Sequence, residues 1–172
     1  MTPRIKTLVL ALAIAAAPAA FGATTDLSPK DQAFAMKIAN ANMAEIEQSK
    51  IAQERTQNSK IKSYASMMIS DHGAAGQKFD KIAQKNSWSM PMSLDAQDQS
   101  KLDQLSRLQG QDFDRQYVMN MKEGHDAAMA LFRDTAKTAD SSELRGYATD
   151  VLPTIEQHRK QSGELPPSIN RN

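Results

Sequence analysis

The chain has 172 residues with 21 basic and 20 acidic side chains, which gives no electrostatic reason to expect nucleic acid or an anionic membrane surface as partner. It has no cysteine, so disulfides and thiolate metal sites are excluded. Aromatic residues make up only 5 % of a chain rich in Ala, Met, Gln and Lys, which favours helices over a sheet.

Residues 1–23 read as a cleaved secretory signal. Arg4 and Lys6 form its basic start, Leu8 to Ala17 an apolar run too short to span a membrane, and Ala20, Gly22 or Ala23 a small-residue cleavage point. Its loss leaves 19 basic residues against 20 acidic ones. The mature chain is expected in the periplasm as a soluble protein with no transmembrane segment. Residues 24–163 are then a single helical domain, and 164–172, with Pro166-Pro167, a flexible tail.

Ser28 and Pro29 open the first helix as cap and first residue, and it runs to about Thr56. Phe34, Ile38, Ala41 and Ala52 share one face with Glu45, while Met36 and Met43 form a weaker second stripe. Asn58-Ser59 caps the second helix, in which Ile61, Ala65, Met68, His72, Ala75, Phe79 and Ile82 keep the four-three rhythm of a bundle core. That helix ends near Asn86. Ser87 to Ser93 reads as a connection, and a short helix with Leu94, Leu102, Leu105 and Leu108 stops near Gly110.

The third long helix opens near Asp112 and carries Phe113, Tyr117, Val118, Met121, His125, Ala128 and Phe132 on one side. Asp140 and Glu143 have capping-box spacing before the fourth. That helix continues with Leu144, Ala148, Val151, Ile155 and His158, and Pro153 is expected to kink it. The fold expected is an all-α, ferritin-like four-helix bundle whose long crossover carries a short extra helix.

Glu45, His72, His125 and His158 therefore fall on the core stripes of four different helices. Buried charges are rare unless paired or bound to metal, and neutral imidazole is the commonest metal ligand. Counted from the turn centre near residue 57 or 58, Glu45 and His72 sit within about one turn of the same level. From the centre near 139 or 140, His125 and His158 are mismatched by roughly 6–8 Å. Met67-Met68, Met90-Pro91-Met92 and Met119-Asn120-Met121 could offer thioethers to Cu(I), but at helical spacing methionine is more often core filler. No glycine-rich phosphate loop or serine–histidine signature is visible, so nucleotide cofactors, hydrolase chemistry and assigned catalytic residues have no support.

Glu45-Ile46 with Lys50-Ile51-Ala52, Met68-Ile69-Ser70-Asp71-His72, Phe113-Asp114 with Tyr117, Met121-Lys122-Glu123-Gly124-His125, and Leu152-Pro153 with His158 together form a pattern. It resembles a bacterial exported ferritin-like family often labelled "predicted outer membrane protein", a domain of unknown function. The resemblance covers about residues 30 to 163. It implies a four-helix bundle in the cell envelope and no activity. It marks Glu45, His72, His125 and His158 as the positions to watch, with Asp71 and Asp114 as partners behind them. No alternating barrel strands support an outer-membrane location. Di-iron ferritins carry Glu-x-x-His pairs, whereas the residues three before His72 and His158 are Ile69 and Ile155. A carboxylate-rich di-iron site is therefore not expected.

The leading expectation is a divalent transition metal, copper or zinc before iron, held by Glu45 and the three histidines in a binding, buffering or stress-protection role rather than turnover. The alternative is a metal-free periplasmic interaction or protective protein whose histidines are structural. A redox enzyme would need an open coordination position and a substrate path. No protein partner is legible.

Overall fold

The computed structural model describes residues 27–166, and the signal reading and the end of the tail lie outside them. Five helices occur among these residues: α1 (Pro29–Arg55), α2 (Ser59–Lys85), α3 (Ala96–Arg107), α4 (Gly110–Thr138) and α5 (Ser142–Glu164). No strand is present among the described residues, so the chain is an all-α bundle. None of these helices is long and apolar enough to cross a membrane.

Each helix begins where its backbone N–H groups find an acceptor. Ser28 accepts from Asp31 N ahead of Pro29, and Asn58 accepts from Lys60 N and Ile61 N. Asp95 accepts from Asp98 N. At α5 the cap is Ser141, which accepts from Leu144 N, and not the expected Asp140. The buried Asp31 of α1 accepts from both Asp140 N and Ser141 N, at 3.2 and 2.7 Å, and so pins the α4–α5 turn to the start of α1.

Helix α2 closes with Ser87 at φ 59°. Ser87 N bonds to Gln84 O and Trp88 N to Ala83 O, the paired bonds of a Schellman motif, and Trp88 packs into the core. Gly110, expected to terminate α3, instead opens α4 at φ 56°; α3 already ends at Leu108, whose N–H bonds to Leu105 O. Pro153 is exposed, and α5 runs through it as one helix. At the far end Leu165 is buried, so the core reaches two residues past the expected domain boundary.

Two apolar clusters fill the bundle. One joins Ala52 near the end of α1, Ile61, Tyr64 and Met68 early in α2, Phe113, Tyr117 and Met121 early in α4, and Leu165. The other joins Phe34 and Ile38 early in α1, Phe79 late in α2, Phe132 late in α4, and Leu144 and Ile155 of α5. Those memberships fix the directions: α2 and α4 run one way, α1 and α5 the other. The α1–α2 and α4–α5 hairpins are joined by the 86–109 crossover, which returns along the bundle and lays α3 over α1 and α4. Met36 is 38 % exposed, so the second methionine stripe on α1 is not a core face. Contact with α2, α3 and α4 instead buries polar residues of α1, among them Asn40, Gln48 and Ser49.

Candidate functional site

The site lies between the two apolar clusters. On α1 it falls between Ile38 and Ala52, on α2 between Met68 and Phe79, on α4 between Met121 and Phe132, and on α5 just beyond Ile155. Those gaps hold Glu45, His72, His125 and His158, which together line a cavity of about 50 Å³. His125 and His158 are 1 % and 2 % exposed, and the His72 side chain 12 %.

The three rings form a triangle, with centroids 5.2 Å (His72–His158), 5.4 Å (His125–His158) and 5.8 Å (His72–His125) apart. The mismatch expected for the second hairpin does not separate its histidines. Counted from the helix ends, Glu45 is 10 residues before Arg55 and His72 is 13 after Ser59; His125 is 13 before Thr138 and His158 is 16 after Ser142. Both hairpins carry the same three-residue offset, about 4.5 Å, which histidine side chains can span.

Each ring is held by one nitrogen and leaves the other without a partner. His72 Nδ1 lies 3.0 Å from Asn42 Oδ1, His125 Nδ1 lies 2.6 Å from the Met121 carbonyl oxygen, and His158 Nε2 lies 3.0 Å from Asp71 Oδ2. All three partners are oxygen acceptors, so the ring nitrogens facing them carry the hydrogens. That leaves His72 Nε2, His125 Nε2 and His158 Nδ1 as lone-pair nitrogens, and these three are buried with no hydrogen-bond partner. One ring nitrogen from each histidine can be chosen so that all three lie within 4.8 Å of one another, spacing that a single ion could gather.

Glu45 approaches from the opposite edge. Its carboxylate oxygens lie 3.3 Å from His72 Nδ1 and 3.8 Å from His125 Nδ1, on the side that bears the ring hydrogens. Burial, reinforced by Asp98, pushes the Glu45 carboxyl up to about 8. Burial also pushes His72 down to about 3, aided by the neighbouring His158 and His125. His125 falls to about 4, again chiefly by burial, with the Met121 carbonyl opposing. At neutral pH the Glu45–His72 contact is therefore one between uncharged groups rather than an ion pair.

Asp71 meets His158 as described, while Asp114 stands eleven residues before His125, about 16 Å along α4, with its Oδ1 buried and unpartnered. Sequence reasoning missed Asn42, which lies three residues before Glu45 and so near its face, and two glycines inside helices. A Cβ on Gly76 would meet Asn42 Nδ2 at 2.8 Å, and one on Gly124 would meet Glu45 Oε1 at 2.8 Å. Glycine inside a helix costs roughly 1 kcal/mol against alanine, so Gly124 directly before His125 was the available signal of a close approach.

Chemically, three imidazoles converging on a small, mostly apolar cavity form a nitrogen donor set with a carboxyl group behind it. The fold is that of two solved structures. A DUF305 fragment from Deinococcus radiodurans matches with a TM-score of 0.71 and 13 % identity, over 81 % of this chain and 96 % of its own. A Streptomyces coelicolor DUF305 protein, described as secreted, matches at 0.66 and 14 %, over 80 % and 91 %. No curated protein matches the chain. Residues 16–165 match the family described as Domain of unknown function (DUF4142), and the chain belongs to that family.

Proposed function

We propose that this is an exported periplasmic metal-binding protein that holds one divalent transition metal, zinc or copper, on His72, His125 and His158. The observation that carries the reading is the set of three buried ring nitrogens left unpaired while the other nitrogen of every ring is bonded to oxygen. Metal-ligating histidines characteristically donate their second N–H to a carbonyl or carboxylate, which fixes the tautomer and the ring orientation. Tetrahedral zinc with nitrogens at about 2.0–2.1 Å brings ligand nitrogens to roughly 3.3 Å of one another, so binding draws the rings inward.

Glu45 serves this site from behind His72 and His125, as a carboxyl that orients rings, and the cavity has room for an ion with a water as fourth ligand. A role in binding or buffering envelope metal fits a cavity of about 50 Å³, which admits an ion and small molecules only. The description of a structural neighbour as secreted supports the export part of the reading. The alternative, in which the histidines are structural only, leaves the three buried nitrogens to be satisfied by water in the same cavity.

The test is elemental analysis of the mature protein purified from its native periplasm without chelators or an affinity tag. About one equivalent of a single metal, absent from His72→Ala, is the expected result. No metal in the purified protein and none taken up on titration, with the fold intact, overturns the reading.

A further inference from the structure

The donor set at the site stops at three. Zinc takes four ligands, and where a protein supplies only three the fourth place holds water or a substrate. Here the three are the nitrogens of His72, His125 and His158. Glu45 lies at ring edges that carry hydrogen and Asp71 is turned to His158 Nε2, so neither carboxylate completes the set. A cavity of about 50 Å³ has room for about three water-sized bodies, which is an ion and a ligand of two or three heavy atoms.

The cavity opens between α2 and α5. Asp71 and Ala75 of α2 and Val151 and Thr154 of α5 line it and are half-buried. None of the four lines the separate groove between α1, α3 and α4. The crossover helix lies over α1 and α4, so the α2–α5 face is the one it leaves uncovered. Two contacts between α2 and α5 frame the opening. His158 Nε2 donates to Asp71 Oδ2 at 3.0 Å on one side, and Tyr147 donates to the Ala75 carbonyl at 3.2 Å on the other. Ala75 and Val151 put aliphatic groups at the rim, which set its width and bind nothing themselves.

Resting on the metal-binding reading, we propose that the loaded site keeps an exchangeable fourth position facing this opening. Its ligand is a small anion of two or three heavy atoms. Imidazoles that coordinate through their lone pairs add no negative charge, so a divalent ion on three of them keeps its double charge. In a mostly apolar cavity that charge is poorly screened, and an anion at coordinating distance relieves it best. Asp71 at the rim carries a single charge against the double charge of the ion, and it is engaged with His158. The protein is then a receptor for small anions as well as a holder of the ion. Metal occupancy decides whether the anion binds, and the rim decides how large it can be.

The experiment is a visible-absorption titration of the full chain loaded with one equivalent of Co(II), whose d–d bands report the number and kind of its ligands. Azide is expected to change the bands and to saturate at one per chain. Benzoate, too large for the cavity, is expected to leave them unchanged at the same concentration. Val151→Phe and Ala75→Leu narrow the rim. Each is expected to weaken azide binding about tenfold or more and to leave Co(II) affinity within about threefold. Ala127→Phe, in the groove on the other side of the bundle, is expected to change neither. The comparison of azide with benzoate needs no variant, and circular dichroism checks that the variants keep their helices. If azide leaves the bands of the loaded wild-type chain unmoved, or benzoate moves them as readily, the proposal falls while the metal site stands. Azide binding that is unchanged in both folded rim variants also overturns it. If the wild-type chain takes up neither Co(II) nor Zn(II), the metal-binding reading itself falls, and the anion site with it.

Discussion

The ends of this bundle and its middle layer are buried to the same depth on different terms. Leu144, Phe113 and Met121 at the ends are almost fully inaccessible, and so are His125 and His158 between them. At the ends, burial is its own reward, because apolar surface leaves water at about 25 cal/mol per Å². In the middle, each imidazole brings two polar nitrogens and the fold satisfies one of them. An apolar side chain of similar volume would pack there without leaving a nitrogen unpaired. Packing therefore accounts for the ends, and it does not account for the unpaired nitrogens of the middle layer.

The sharpest way to break that contrast is to truncate one residue in each region. His125→Ala is expected to lower zinc affinity at least about a hundredfold while helicity is retained, since it removes one of three donors. Leu144→Ala is expected to cost about 2–5 kcal/mol of stability by chemical denaturation and to leave zinc affinity of the folded protein unchanged. If the two variants behave alike, the layers are not functionally distinct.

Proton linkage separates the layers without truncation. His72 and His125 are depressed to about 3 and 4, so their neutral forms stabilise the folded chain fully above 6.5, and this is lost as pH falls toward those values. Glu45 is raised to about 8, so its contribution is present below 4.5 and lost as pH rises through 8. Of these three groups, the two histidines outweigh Glu45 below 6.5 and Glu45 outweighs them above it. Metal-free protein is thus expected to be most stable near pH 6.5 in denaturant titrations, with Glu45→Gln abolishing the decline toward pH 8. A flat profile from pH 4 to 8 would contradict the burial of these groups.

The smallest effect expected is at the ends. Ser87 occupies the left-handed position of the α2 Schellman motif, where glycine carries no Cβ penalty. Ser87→Gly is expected to raise stability by about 0.5–1 kcal/mol, read as a higher denaturant midpoint, with no change in metal binding.

Much of the fold was legible in the residues because local signals and periodicity agree along most of the chain. Ser28-Pro29 and Asn58 mark their helix starts, and the four-three series on α2, α4 and α5 picks out Met68, Met121 and Ile155 as core. The end of α2 near Asn86 was legible as well, although a serine fills the left-handed position that glycine usually marks. The α5 cap is Ser141 and not Asp140, and the turn that sets it is pinned by Asp31, 109 residues from Asp140 in sequence. No local pattern reports such a partner.

At the site, periodicity put Glu45, His72, His125 and His158 on inward faces, where they line one cavity, and could say no more. A helix wheel gives a direction to about a third of a turn; it does not say which edge of an imidazole meets which oxygen. Glu45 was accordingly expected among the ligands, and it stands instead at the Nδ1 edges of His72 and His125. Asn42 read as one more polar residue of α1 because its role depends on His72 in the neighbouring helix. Gly124 tells the same story from the other side, since the Glu45 carboxylate that needs the space comes from α1.

Three particular ring nitrogens carry the metal-binding reading, and imidazole ¹⁵N NMR reads them directly. In the metal-free full chain, hydrogen is expected on Nδ1 of His72 and His125 and on Nε2 of His158. One equivalent of zinc should then shift His72 Nε2, His125 Nε2 and His158 Nδ1 together, with no further change at a second equivalent. Opposite tautomers, or three rings unmoved by zinc in the folded protein, would contradict it.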